Sequence, residues 1–141
     1  MRRTFAGLVT VAALALGVAP LGAHHSFTAE FDQNKTITLR GTLTKVEFTN
    51  PHGWLYLNVK GPDGKILNWA IETGTPMQLI RQGGDRKTLA VGTEIVVDGF
   101  RSKDGRLRAN GRDLTLPDGR ALFFGSAGTG APGDTKDPPE K

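Results

Sequence analysis

Cysteine is absent from the 141 residues, so no disulfide and no lipid-modified cysteine can hold this chain. Stability has to come from the core alone. Aromatic surface is thin, with two tryptophans and one tyrosine, and the histidines number three: His24, His25 and His52. Charge of one sign is scarce as well. Eighteen Lys and Arg stand against 14 Asp and Glu, for a formal net charge of +4, a scattered excess that argues against nucleic acid as the main partner. No Gly-x-Ser-x-Gly elbow accompanies Ser26, which argues against a serine hydrolase. No phosphate-cradling loop occurs either, because Gly83-Gly84 reads as a helix stop. The acids Glu30, Asp32, Glu47, Glu72, Glu94 and Asp98 form no pair in a glycosidase-like context and read as solvated. Arg106 and Arg108, alternating along one segment, read the same way.

What is present begins with a leader. Arg2-Arg3 precede an apolar run over residues 5–18 that only Thr10 interrupts, and residues 19–23 end in small side chains. This is the layout of a signal peptide cut after Ala23. The run falls short of the roughly 20 residues a membrane span needs, and nothing basic follows to retain it. Arg2-Arg3-Thr4-Phe5 has the look of a twin-arginine address, with a plain Sec signal as the alternative. Cleavage removes Arg2 and Arg3, taking the net charge from +4 to about +2. The expected location is the periplasm or the medium, and no membrane span remains after cleavage.

Residues 36–71 organise the rest. Ile37, Leu39, Gly41 and Leu43 share one face of an alternating strand, and the apolar phase then slips by one residue to Val46 and Phe48. Such a slip marks a bulge in a long, bent strand that pairs with both sheets of a closed barrel. Asn50-Pro51-His52-Gly53 is turn chemistry. Leu55, Leu57 and Val59 then oppose Trp54, Tyr56 and Asn58, and past an Asp63-Gly64 hairpin Leu67, Trp69 and Ile71 face inward. The period changes at Thr75, which caps a short helix with Pro76 first and Met77, Leu79 and Ile80 on one expected face. Residues 93–100, 107–116 and 121–124 supply further strands, separated by Asp104-Gly105 and Asp118-Gly119 turns.

This order predicts an all-β protein: a small OB-fold-like Greek-key barrel of five to six strands, with one short helix between strands 3 and 4. A generic sandwich is the alternative. The expected division is a signal peptide over 1–23 and an irregular N-terminal arm over 24–35, anchored by Phe27 and Phe31. The barrel follows over 36–124 and a disordered tail over 125–141.

Two sites follow from residue chemistry. With cleavage after Ala23, the α-amino group and ring of His24 can chelate one metal ion. A second imidazole from His25 or His52 would complete a nitrogen site of the kind Cu(II) favours. The alternative leaves His24 and His25 as solvated tail residues and His52 bonded to backbone. The second site is the outer face of strand two, where Trp54 and Tyr56, with Asn68 beside them, form a ligand-binding surface. Its alternative is that Phe27 and Phe31 of the arm, or the sixth strand, cover that face.

His24-His25-Ser26-Phe27, Glu30-Phe31-Asp32, the segment 41–47, Asn50-Pro51-His52 and Asn68-Trp69 together resemble a family of small exported bacterial proteins of unknown function. Members of that family begin the mature chain with His-His-Ser-Phe. The likeness extends over about residues 23–124 and includes Val91-Gly92 and Gly99. It implies no activity, cofactor or substrate, but it places His24, His25 and His52 in the shared pattern. Gly53 stands where members often carry another small or aromatic residue, which implies a looser corner here. The expected function is a non-catalytic exported binding domain acting on a cell-envelope ligand or protein, with a copper-binding protein as the alternative.

Overall fold

A single helical turn, α1 (Phe27–Glu30), runs directly into β1 (Phe31–Glu47), a strand of 17 residues. The computed structural model describes residues 27–126 and 129; the leader, His24 and His25 lie outside the described residues. Of the arm expected over 24–35, residues 31–35 belong to β1 and residues 27–30 form α1. Phe31 is almost fully buried and pairs with Ser102, while the Phe27 ring stacks on Phe31 at 5.8 Å and meets Phe100 edge-on at 5.3 Å. These ring contacts hold the polar stretch after Phe31 in the sheet.

The remaining elements are β2 (Trp54–Lys60), β3 (Ile66–Glu72), α2 (Pro76–Arg81), β4 (Glu94–Ser102), β5 (Arg108–Thr115) and β6 (Ala121–Phe123). The sheet order is β3-β2-β1-β4-β5-β6, and a parallel pairing of β3 with β5 closes it into a barrel. Three meandering strands, a helix, and two strands that return to β1 and β3 make this the OB-fold topology. A sandwich is excluded because one sheet closes on itself.

β1 serves both sides of the barrel, and its bulge falls between Leu43 and Lys45, where the apolar phase slips. Gly41 sits where the strand is shared, pairing with Val59 on β2 and Ile95 on β4. A Cβ at this position would lie 2.5 Å from the Asn58 carbonyl oxygen, so the crossing admits no side chain. Inside, Leu43, Leu55, Leu57 and Ile71 are fully buried, each worth about 1.5–3 kcal/mol of burial. Trp69 joins them.

Helix α2 begins as its sequence predicts: the Thr75 hydroxyl accepts from the Gln78 amide at 3.2 Å, with Pro76 first. Its inward face is narrower than expected. Leu79 alone is buried, while Met77 and Ile80 are exposed. At about 100° per residue, these two lie well around the helix from Leu79, and six residues present only one side chain to the barrel end. The packed body also runs further than residue 124. Gly125, Ser126 and Thr129 are buried; Gln78 Nε2 donates to the Gly125 carbonyl at 3.1 Å and Asn110 Nδ2 to Ser126 Oγ at 3.0 Å. Among the described residues, no helix is long and apolar enough to cross a membrane.

Candidate binding cleft

The corner between β1 and β2 is tied down from several directions. The Gly53 amide donates to the Gly74 carbonyl at 3.0 Å, and the Thr73 amide to the Gly53 carbonyl at 2.9 Å. The Thr49 hydroxyl donates to the His52 carbonyl at 3.0 Å, and the Asn50–Pro51 peptide is cis. Gly53 is buried. The looser corner implied by glycine at this position is not what the fold builds: the two backbone bonds fasten it to the segment after β3.

His52 Nδ1 lies 3.1 Å from the Thr73 carbonyl oxygen. A carbonyl only accepts, so Nδ1 carries the hydrogen and donates. In the neutral ring Nε2 is left as an acceptor. The same Nδ1 is 3.9 Å from Glu72 Oε1.

Glu72 ends β3, opposite Trp54 on β2 and Asn110 on β5. Its side chain is only 13% exposed, and among the described residues it accepts one long hydrogen bond, from Asn110. Asn110 Nδ2 stands at 3.4 Å, His52 Nδ1 at 3.9 Å and Arg108 Nη2 at 3.9 Å. Burial pushes the Glu72 carboxyl above the ordinary glutamate range, and Glu30 adds to the push. His52, Arg108 and Asn110 hold it back without cancelling it. Behind it Asn110 is fully buried, and its Oδ1 has no hydrogen-bond partner.

Arg108 opens β5. It donates from Nη2 to Glu30 Oε2 at 2.9 Å, and its guanidinium lies 5.3 Å from the Trp54 ring centre and 5.7 Å from that of Phe31. These groups surround a cleft of about 230 Å³, lined by Glu30, Thr49, Asn50, Pro51, His52, Trp54, Glu72 and Arg108. A larger hollow of about 340 Å³ lies between Arg40, Glu94 and Pro117. Its charged pair, Arg40 and Glu94 at 3.5 Å, is solvated at 72% and 63% exposure, so it holds no perturbed chemistry.

Of the residues singled out in the sequence, His52 and Trp54 line the cleft. Tyr56 and Asn68 share the outer face but stand outside it. The Tyr56 hydroxyl donates to Glu47 Oε2 at 2.9 Å, and Lys45 Nζ sits 5.2 Å from its ring centre. Asn68 Nδ2 donates to Asn58 Oδ1 at 2.9 Å. His24 and His25 lie outside the described residues. Among the described residues, no group of three or more His, Asp or Glu is placed to hold a metal ion.

Glu30, Glu72 and Arg108 were expected to be solvated and are instead partly buried in the cleft. The parallel β3–β5 closure causes this by setting Ala70 beside Arg108 and Glu72 beside Asn110. The other basic residues of the second half are mostly engaged: Arg112 with Asp113 at 3.5 Å, Arg120 with Asp118 at 2.7 Å, and Lys103 with the Thr28 carbonyl at 2.6 Å.

Among solved structures, the chain is similar to the dimeric N-terminal domain of the PriB protein from Thermoanaerobacter tencongensis. The identity is 25% over 59% of this chain and 96% of that one, with a TM-score of 0.40. No curated protein matches. Residues 11–111 match the family model described as Family of unknown function (DUF6152), and the chain belongs to that family.

Proposed function

We propose that this protein is an exported, non-catalytic binding module whose ligand is read in the corner cleft. The observation that carries the reading is Glu72, a carboxylate 13% exposed that accepts one long hydrogen bond, from Asn110 at 3.4 Å, and faces a cleft that also holds His52, Trp54 and Arg108. A titratable group that burial perturbs, placed in a cleft beside specific charge partners, marks a candidate functional site. The position fits as well. OB-fold barrels take ligands on the strand 2–3 face and the loops beside it, where this cleft lies. About 230 Å³ suits a small molecule or one side chain of a partner, and two carboxylates against one guanidinium disfavour a nucleic-acid backbone. A cell-envelope ligand follows from export, with the mature chain starting at His24.

The test is a titration of the purified protein with fractionated small molecules of the cell envelope, read by the Trp54 indole N–H signal in NMR. A saturable shift of Trp54, lost in His52→Ala, is the expected result. If every fraction leaves Trp54 unmoved, or shifts buried Trp69 equally, the reading falls.

A copper-binding protein is the second reading. It rests on the residue chemistry of His24, His25 and His52 alone, and His24 and His25 lie outside the described residues. Tight one-to-one Cu(II) binding that vanishes in His24→Ala, or when an extra residue precedes His24, would support it. Binding unchanged by both alterations would remove it.

A further inference from the structure

We propose that Ser126 is a positioning residue for the cleft, acting on Glu72 through the side-chain amide of Asn110. This rests on the binding-module reading and gives a part in it to the segment just past the last strand.

The Asn110 backbone is fixed. It pairs with Phe100 of β4 on one side and with Glu72 of β3 on the other. A Cβ on Gly99 of β4 would lie 2.1 Å from the Asn110 carbonyl oxygen, so the strands are pressed together there. Only the side-chain torsions can adjust. Asn110 Nδ2 stands 3.4 Å from Glu72 Oε1, and a carboxylate oxygen accepts, which sets the amide with its nitrogen toward Glu72. The same nitrogen donates to Ser126 Oγ at 3.0 Å. One N–H serves each acceptor, the shorter bond going to the neutral hydroxyl. That is the reverse of the order expected for an ionised carboxylate, to which bonds are shorter and stronger.

Ser126 imposes this order because its backbone is fastened independently of Asn110. The Gly74 amide donates to the Phe124 carbonyl at 2.7 Å, the Phe124 amide to the Arg112 carbonyl at 3.0 Å, and Gln78 Nε2 to the Gly125 carbonyl at 3.1 Å. The other end of the amide is held by nothing: Oδ1 is buried with no hydrogen-bond partner. Turning the amide toward Glu72 therefore breaks only the bond to Ser126. With the serine hydroxyl in place the donor stays long and Glu72 remains perturbed; without it the donor closes on the carboxylate and favours the charged form. The other charged groups facing Glu72 are His52 from the corner, Glu30 from α1 and Arg108 from β5, and all three persist in the variant.

The test is the Glu72 side-chain ¹³C titration in the full chain, comparing wild type with Ser126→Ala, Asn110→Ala and the double variant. Ser126→Ala should lower the midpoint and Asn110→Ala should raise it. The double variant should match Asn110→Ala, because the serine acts only through the amide. A serine that merely packs would change the melting temperature and leave the midpoint in place. In the wild type, the Asn110 Nδ2 proton nearer the carboxylate should move further with the Glu72 titration than its partner, a measurement that needs no variant. A midpoint unmoved or raised in Ser126→Ala, a double variant that differs from Asn110→Ala, or Nδ2 protons that move equally or not at all overturns the proposal. If the midpoints respond as expected while every envelope fraction leaves Trp54 unmoved, the positioning stands and the binding-module reading alone fails.

Discussion

Replacing Glu72 by Gln should make the protein more stable at pH 8, although the substitution strips a buried side chain of its charge. The native carboxylate is 13% exposed and its nearest donors stand at 3.4, 3.9 and 3.9 Å, so it gives up water without receiving a short hydrogen bond. Burial therefore raises its titration in the native state, with Glu30 adding to the effect. The sign follows from linkage. The folded form holds the proton to higher pH than the unfolded chain, so the group's stabilisation is fully present below the unfolded titration. It is lost as pH rises through the native one. Glutamine keeps the shape and never ionises. A buried polar group left wholly without a partner costs about 1–3 kcal/mol; the long bond from Asn110 puts Glu72 at the low end, a gain of about 1 kcal/mol at pH 8. That corresponds to a Tm increase of roughly 4–8 °C for a domain of this size. Paired thermal melts at pH 8 and pH 4 are the assay. The two proteins should converge at pH 4, where the wild-type carboxyl is largely protonated in both states. A variant less stable than wild type at pH 8, or a gap that ignores pH, would refute the reasoning.

Arg108→Ala removes the guanidinium that lies over Phe31 and Trp54 and leaves Glu30 and Glu72 facing one another. The Glu72 carboxyl should then titrate higher still, and Trp54 emission should shift to the red as water reaches the ring; a titration that moves down contradicts the assigned geometry. Gly41→Ala places a Cβ 2.5 Å from the Asn58 carbonyl, at the point where β1 is shared between β2 and β4. A loss of about 1–3 kcal/mol in urea unfolding is expected, and an unchanged midpoint would mean that the crossing is not close-packed.

Most of the barrel was legible because its strands alternate. The Leu55, Leu57 and Trp69, Ile71 faces point inward as their spacing predicts, and the phase slip after Leu43 marks the bulge that bends β1. The cap of α2 was legible too, since Thr75 and Pro76 are local signals. Long-range pairing was not. Phe31 joins β1 because it pairs with Ser102, about 70 residues away in the chain, while Phe27, stacked on it, meets Phe100; no period within Asp32 to Lys35 announces it. The cleft divided along the same line. His52 and Trp54 sit on a turn and a strand that could be placed from their neighbours in sequence. Glu72 and Arg108 meet only through the parallel closure of β3 on β5, so each looked like an ordinary charge on a solvated strand. One cue was open to reading: Glu72 lies directly across from Trp54 once the hairpin register is counted back from Asp63-Gly64.

The most direct measurement is the pH titration of the Glu72 side-chain carboxyl carbon by ¹³C NMR in the folded protein. A midpoint above the ordinary glutamate range is expected. A midpoint at or below that range would mean that Glu72 is satisfied within the protein, and the cleft would lose its reason to take a ligand.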